Sequence, residues 1–170
     1  ATQDTAAPTG SITTISPSSG AIRVGNTVTL TIAAGADETG LILAGTINGV
    51  TGTNVRAGGV VGTYYIDYVI VNGNPDVSSG TLTASLTLTD SAGNISPAIT
   101  SVPVNTLVID STRPTLSTVT ISSNNINSLS RAKVGDLVTL RLTSNEAIQT
   151  TPSVTFASGG SAVAGTVIYV

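Results

Sequence analysis

The sequence holds no Cys, Met, Trp or His and a single Phe. Without Cys there are neither disulfide staples nor thiolate metal sites, so the core must hold by packing alone. Without His, the commonest general base and a favoured transition-metal ligand are missing. Charge is scarce too: Asp, Glu, Lys and Arg make up 9% of the chain, against an ordinary share of about a quarter. This is not the scarcity of a disordered chain, because 40% of residues are hydrophobic and the net charge is only −3. The basic residues Arg23, Arg56, Arg113, Arg131, Lys133 and Arg141 are scattered, which predicts no nucleic-acid footprint. No apolar run approaches the roughly 18 residues of a membrane helix, so no membrane span is expected. The opening "ATQDTAAP" has no initiator Met and no signal-peptide pattern, and is expected to be a mature or internal segment.

What the chain does have is alternation. In "NTVTLTIAA", Val28, Leu30 and Ile32 point one way and Thr27, Thr29 and Thr31 the other. "GTLTASLTLTD" repeats the pattern with Leu82, Ala84, Leu86 and Leu88 against Thr and Ser. Period-2 patterning predicts half-buried strands with Thr on the wet face. Strands are expected near 11–15, 27–33, 41–46, 63–71, 81–89 and 98–109, with short pieces within 51–61, and no helix of any length. Turn clusters of Gly, Pro and Asn recur roughly every 8–12 residues, as in a β-sandwich or barrel. In "TYYIDYVIV", one face takes Tyr64, Ile66, Tyr68 and Ile70, so Asp67 on the other is expected to face solvent.

The chain also echoes itself. The junction at Pro8 recurs at Pro114, and "VGNTVTL" at 24–30 recurs as "VGDLVTL" at 134–140. The second match is displaced by four more positions than the first, and a four-residue insertion near "SSNNINSLSRAK" reconciles the two. Each copy opens with an Asp, a short polar stretch and a stiffening Pro. A period of about 100 residues is wrong for a solenoid unit and right for an independent sandwich. The expected domains are 1–109 and 110–170. The second copy spans about 60 residues, too few for a seven-stranded sandwich of about 100. Its sheet is therefore expected to be completed by continuing chain or by another chain.

"DSAGNIS" after "TLTASLTLT", followed by "VNTLVID" and "STRPT", resembles the bacterial Ig-like repeats strung along large cell-surface adhesins and related surface proteins. The likeness covers the first copy end to end and the opening half of the second. It implies an all-β fold of tandem Ig-like Greek-key β-sandwiches, the second incomplete in this chain. It further implies a non-catalytic spacer in a bacterial extracellular protein, secreted or at the cell surface, whose partners are neighbouring repeats. Some members bind Ca²⁺ at their junctions. Two departures stand out: "TAAPT" lacks the usual second Thr, and Asp4 follows Gln3 where Ile is usual. The Cys and Trp marks of antibody-type sandwiches are absent, so an aliphatic core is expected.

In an Ig-like sandwich the N-terminus, the B–C loop and the F–G loop share one pole. Here these bring Asp4, then Asp37 and Glu38 of "AAGADETG", then Asp90 and Asn94 of "DSAGN". With carbonyls and water, such a set meets the roughly six to eight oxygens that Ca²⁺ takes. A second candidate site, at the junction of the copies, collects Asp76, Asp110, Asn145 and Glu146. The competing role for all of these is turn chemistry, in which Asp and Asn accept backbone hydrogen bonds. A Ser130–Lys133 dyad is conceivable, but Lys133 sits at a turn leading into a strand, and no enzyme is expected. Exposed Thr rows invite a carbohydrate- or ice-binding role, although Thr is also an ordinary strand residue. Three functions follow in order. The first is the spacer. The second is a filament or surface-layer subunit completed by identical chains through exposed strand edges. The third is a glycan- or protein-binding module, for which the aromatics Tyr64, Tyr65, Tyr68 and Tyr169 all lie within strand patterns.

Overall fold

The computed structural model describes residues 3–35 and 39–163. The chain is all-β, with no helix among the described residues. It divides into two compact units, the division falling between Arg113 and Pro114.

Unit 1 contains β1 (Gly10–Ser16), β2 (Ser19–Arg23), β3 (Thr27–Ala34), β4 (Ile42–Ile47), β5 (Val50–Thr51), β6 (Thr53–Ala57), β7 (Thr63–Val69), β8 (Ala84–Thr89) and β9 (Thr106–Asp110). They form an antiparallel sheet in the order β1-β3-β7-β6, a second in the order β5-β4-β8, and a parallel pair β2-β9. This arrangement is consistent with a β-sandwich. The apolar halves of the alternating strands meet in one core: Val28, Leu30 and Ile32 with Ile66, Leu43, Leu86, Leu88, Leu107 and Ile109. Each such fully buried side chain stabilises the fold by about 2 kcal/mol. The two buried tyrosines keep their hydroxyls satisfied. Tyr64 Oη accepts the Leu41 N–H at 3.1 Å, and Tyr68 Oη lies 3.4 Å from Asn48 Nδ2.

Strict alternation would send Ile12 and Ile15 to opposite faces, yet both are buried. A bulge reconciles them. Ile12 pairs with Ile32 and Thr14 with Thr31, leaving Thr13 as the extra residue. The slip turns Ile15 back to the core, opposite Leu30.

The strand expected over 98–109 is shorter than that, beginning only at Thr106. Pro97 and Pro103 have no N–H for a ladder, and the stretch between them touches β8 through the single bridge Leu86–Ile99.

Unit 2 contains β10 (Leu116–Ser123), β11 (Val138–Ser144), β12 (Ala157–Ser158) and β13 (Ser161–Ala162), paired as β10-β11 and β12-β13. Its hydrogen bonds recur from unit 1. The Gly35 N–H donates to Thr9 O, and the Asn145 N–H to Thr115 O. Around Gly25, Arg23 N–H reaches Asn26 Oδ1; around Gly135, Lys133 N–H reaches Asp136 Oδ2. Gly25 and Gly135 take φ of +92° and +94°, a region that glycine enters without strain. The β4–β5 hairpin is closed by Gly52 N–H to Gly45 O, and the β12–β13 hairpin of unit 2 in the same way by Val163 N–H to Phe156 O. Both turns place two residues at positive φ, Asn48-Gly49 and Gly159-Gly160, as a two-residue hairpin turn requires.

Candidate functional site

The first pole is built at the end of β8. Asp90 closes the "DSAGN" turn on itself: Oδ1 accepts the N–H groups of Ala92 and Asn94, both at 2.8 Å. Its Oδ2 accepts Asn94 Nδ2, also at 2.8 Å. The Asn94 side chain above all, then the backbone N–H groups of Asn94, Ala92 and Gly93, hold the Asp90 carboxyl below the usual range against the opposing push of burial. Asn94 Nδ2 also lies 3.3 Å from the Asp4 carbonyl oxygen. Asp4 Oδ1 accepts the Ala6 N–H at 3.0 Å. Asp4, Asp90 and Asn94 are thus brought together, while Asp37 and Glu38 lie outside the described residues.

The chemistry of this donor set decides how it fits Ca²⁺. Both Asp90 oxygens face N–H donors, and Asn94 points its amide nitrogen, not its oxygen, at its neighbours. The described residues fit a turn clasp that pins the N-terminal segment to β8. An ion here would compete with three N–H groups for one carboxylate. Among the described residues, no three Asp or Glu side chains gather as a metal-holding group.

The second candidate set divides between the units. In unit 1, Asp76 Oδ1 accepts the Ser111 N–H at 2.8 Å, and the Ser111 hydroxyl lies between Asp76 Oδ1 and the Asn74 carbonyl. The Ser111 N–H first, then its hydroxyl, lower the Asp76 carboxyl against burial. Asp110 Oδ1 accepts the Thr112 N–H at 3.1 Å. In unit 2, Asn145 Oδ1 accepts the Thr115 N–H at 2.6 Å, and the Glu146 N–H lies 3.4 Å from Ser144 Oγ. Asp110 closes a local turn, Asp76 and Asn145 each tie together distant segments of their own unit, and Glu146 Oε1 is buried without a hydrogen-bond partner.

Asp67 overturns an expectation. It is 7% exposed, not solvent-facing. Alternation fixed its face correctly, but β6 lies alongside β7 and its side chains close over the carboxylate. Oδ1 accepts the Thr29 hydroxyl at 2.7 Å; Oδ2 accepts Asn54 Nδ2 at 2.6 Å and Arg56 Nη1 at 2.9 Å. Burial alone would raise this carboxyl, but the hydrogen bonds from Thr29, Asn54 and Arg56, with the Arg56 charge, outweigh it and hold the group low. The guanidinium sits 5.2 Å from the Tyr65 ring centroid, within cation–π range. Asn54, at φ +48°, makes the turn at the bulge between Thr53 and Arg56. The available signal was the residue type, since Asp is depleted in strands and one placed mid-strand needs partners.

A groove of about 330 Å³ runs between Gly10 and Ser11 of β1 and residues 96–101, and no titratable side chain lines it. No family model, curated protein or solved structure matches the chain.

The remaining feature is the parallel pair. β2 and β9 run in register from Ser19 opposite Thr106 to Arg23 opposite Asp110. On the far side, β9 is held by Val77, whose N–H and C=O both bond to Ile109. The second strand of unit 1 and its last are therefore tied side by side.

Proposed function

We propose that the chain is a non-catalytic spacer of a bacterial extracellular surface protein, built of tandem Ig-like sandwiches that hold distance under tension. The observation that carries this reading is the parallel β2-β9 ladder. A pull on the two ends of unit 1 reaches β2 through β1, which is itself laddered to β3, and draws β2 back from its Ser19 end and β9 forward from its Asp110 end. These ends lie at opposite extremes of the ladder. The hydrogen bonds are then sheared together and must fail together, which resists force better than a ladder opened from one end.

The Ig-like part of the reading is supported by strand order. The sheet β1-β3-β7-β6 matches A-B-E-D, β4 and β8 match C and F, and β9 beside β2 takes the place of G. The recurrence in unit 2 of the turn and hairpin hydrogen bonds of unit 1 supports a tandem repeat. The turn clasps at Asp90 and Asp76 fit a scaffold that needs stiff corners more than a reactive centre, and the spacer role requires no ion at either.

Single-molecule pulling through the two ends tests the proposal. In unit 2, Leu116 and Ser144 are ladder partners at the outer ends of β10 and β11, so that pair unzips one bond at a time. Unit 1 should yield in one discrete event well above unit 2. An event for unit 1 at or below the force of unit 2 would count against the spacer reading.

A further inference from the structure

The two units treat equivalent residues differently. Ile15 is 7% exposed, whereas its counterpart Ile121 is 63% exposed; Val28 is 0% exposed and its counterpart Val138 37%. The β10-β11 ladder sets Val119 opposite Leu142 and Ile121 opposite Leu140, with Leu116 and Val138 on the same side. Six apolar side chains thus share one face of a two-stranded sheet. In unit 1 the matching face is covered by side chains of β4, β8 and β9. There, too, the free edge of β3 is taken by β7, through pairs running from Thr27–Val69 to Ala33–Thr63. Among the described residues, no strand takes that edge of β11.

We infer that the edge of β11 and the apolar face beside it form an acceptor for an antiparallel strand of the β7 kind. The occupant is polypeptide carrying the remainder of this repeat. Main-chain bonds along the edge supply affinity, and alternate side chains supply register. A strand reading Tyr-x-Ile-x-Tyr, as Tyr64, Ile66 and Tyr68 do in β7, lays its bulk over the open face while its alternate residues turn to the other face of the sheet. A second copy of this chain is the poorer occupant. Its own β7 is already paired on both sides, by β3 and β6. Packing two β10-β11 faces together would cover roughly 24 by 10 Å on each copy. That falls well short of the roughly 1,200 Å² that a specific interface buries.

This inference rests on the repeat reading and not on resistance to force, so its failure would leave the pulling result standing. The test appends a second copy of residues 60–113 after Val170. Counted from the matching hairpins, Val170 holds the place in the second copy that Gly59 holds in the first. Amide hydrogen exchange is then followed at 138–144 in the full chain and in the extended chain. The extension should slow exchange there on the order of 100-fold. Replacing the appended copies of Tyr64, Ile66 and Tyr68 with Ser should abolish the slowing. Should the extended chain precipitate, a peptide of residues 62–71 added in trans gives the second reading and should slow the same amides. Unchanged exchange with extension or peptide overturns the inference. So does the finding that the unextended chain is a dimer with 138–144 already protected, because a second copy would then be the occupant.

Discussion

Arg56 Nη1 reaches Asp67 Oδ2 at 2.9 Å across the β6–β7 ladder, and the same carboxylate takes the Thr29 hydroxyl from β3. One buried charge therefore ties three strands of a sheet together on its outer face. Asp67→Ala removes the shared acceptor and strands three donors, and should destabilise unit 1 by about 2 kcal/mol. Arg56→Ala should cost less than about 1 kcal/mol, because the guanidinium is partly in water. Urea denaturation of both variants checks the order. Equal losses, or a larger loss for Arg56, would show that the carboxylate is not the hub.

The pH dependence follows from three lowered carboxyls, Asp67, Asp76 and Asp90. A carboxyl held low in the folded state contributes stability that is complete above its unfolded pKa of about 4 and is lost as pH falls through the folded value. With no His or Cys in the chain, no side chain ordinarily titrates between about pH 5 and pH 8. Melting temperature should stay level across that range and fall below about pH 4. A melting temperature that rises on acidification would contradict this.

How much of this was legible beforehand differs by residue. Val28, Leu30 and Ile32 announced their strand and its inner face, because alternation is a local property. "DSAGN" announced a turn, because Asp and Asn cap their own backbone. The burial of Asp67 was not legible: period 2 assigns a side chain to a face but does not say what crosses that face, and Asn54 and Arg56 arrive from another strand. The Thr13 bulge was hidden for a related reason, since only its pairing with β3 shows that Ile12 and Ile15 share the core.

Chelation should leave the melting temperature unchanged. The Asp90 oxygens are occupied by the N–H groups of Ala92 and Asn94 and by the Asn94 amide. An ion present at a hundred times its Kd would add about 2.7 kcal/mol, a shift of several degrees. Calorimetry with EDTA and with added Ca²⁺ reads this directly, and a drop of that size on chelation would restore the calcium role.

Gly45 and Gly73 both take positive φ, +139° and +88°, but only Gly45 faces backbone. A Cβ at Gly45 would run into the Ser85 carbonyl and come within 2.7 Å of Leu86 Cα, where β4 and β8 pair. Gly45→Ala should cost about 3 kcal/mol. At Gly73 a Cβ meets nothing within 4 Å, so Gly73→Ala should cost only the left-handed penalty of about 1 kcal/mol. Similar losses for the two, by equilibrium unfolding, would mean that β4 and β8 are not so closely apposed.

Resistance to tension is tested most directly by breaking the parallel ladder and pulling again. Thr106 N–H bonds to Ser18 O on the β2 side, whereas Ile109 N–H bonds to Val77 O on the other. By alternation the Val108 N–H faces β2, and the Val108 side chain is itself exposed. Val108→Pro therefore deletes a ladder donor without emptying the core. Pulled through its ends, the variant's unit 1 should yield at a markedly lower force than the parent's, still in a single event. An unchanged unfolding force would mean that tension does not pass through β2 and β9.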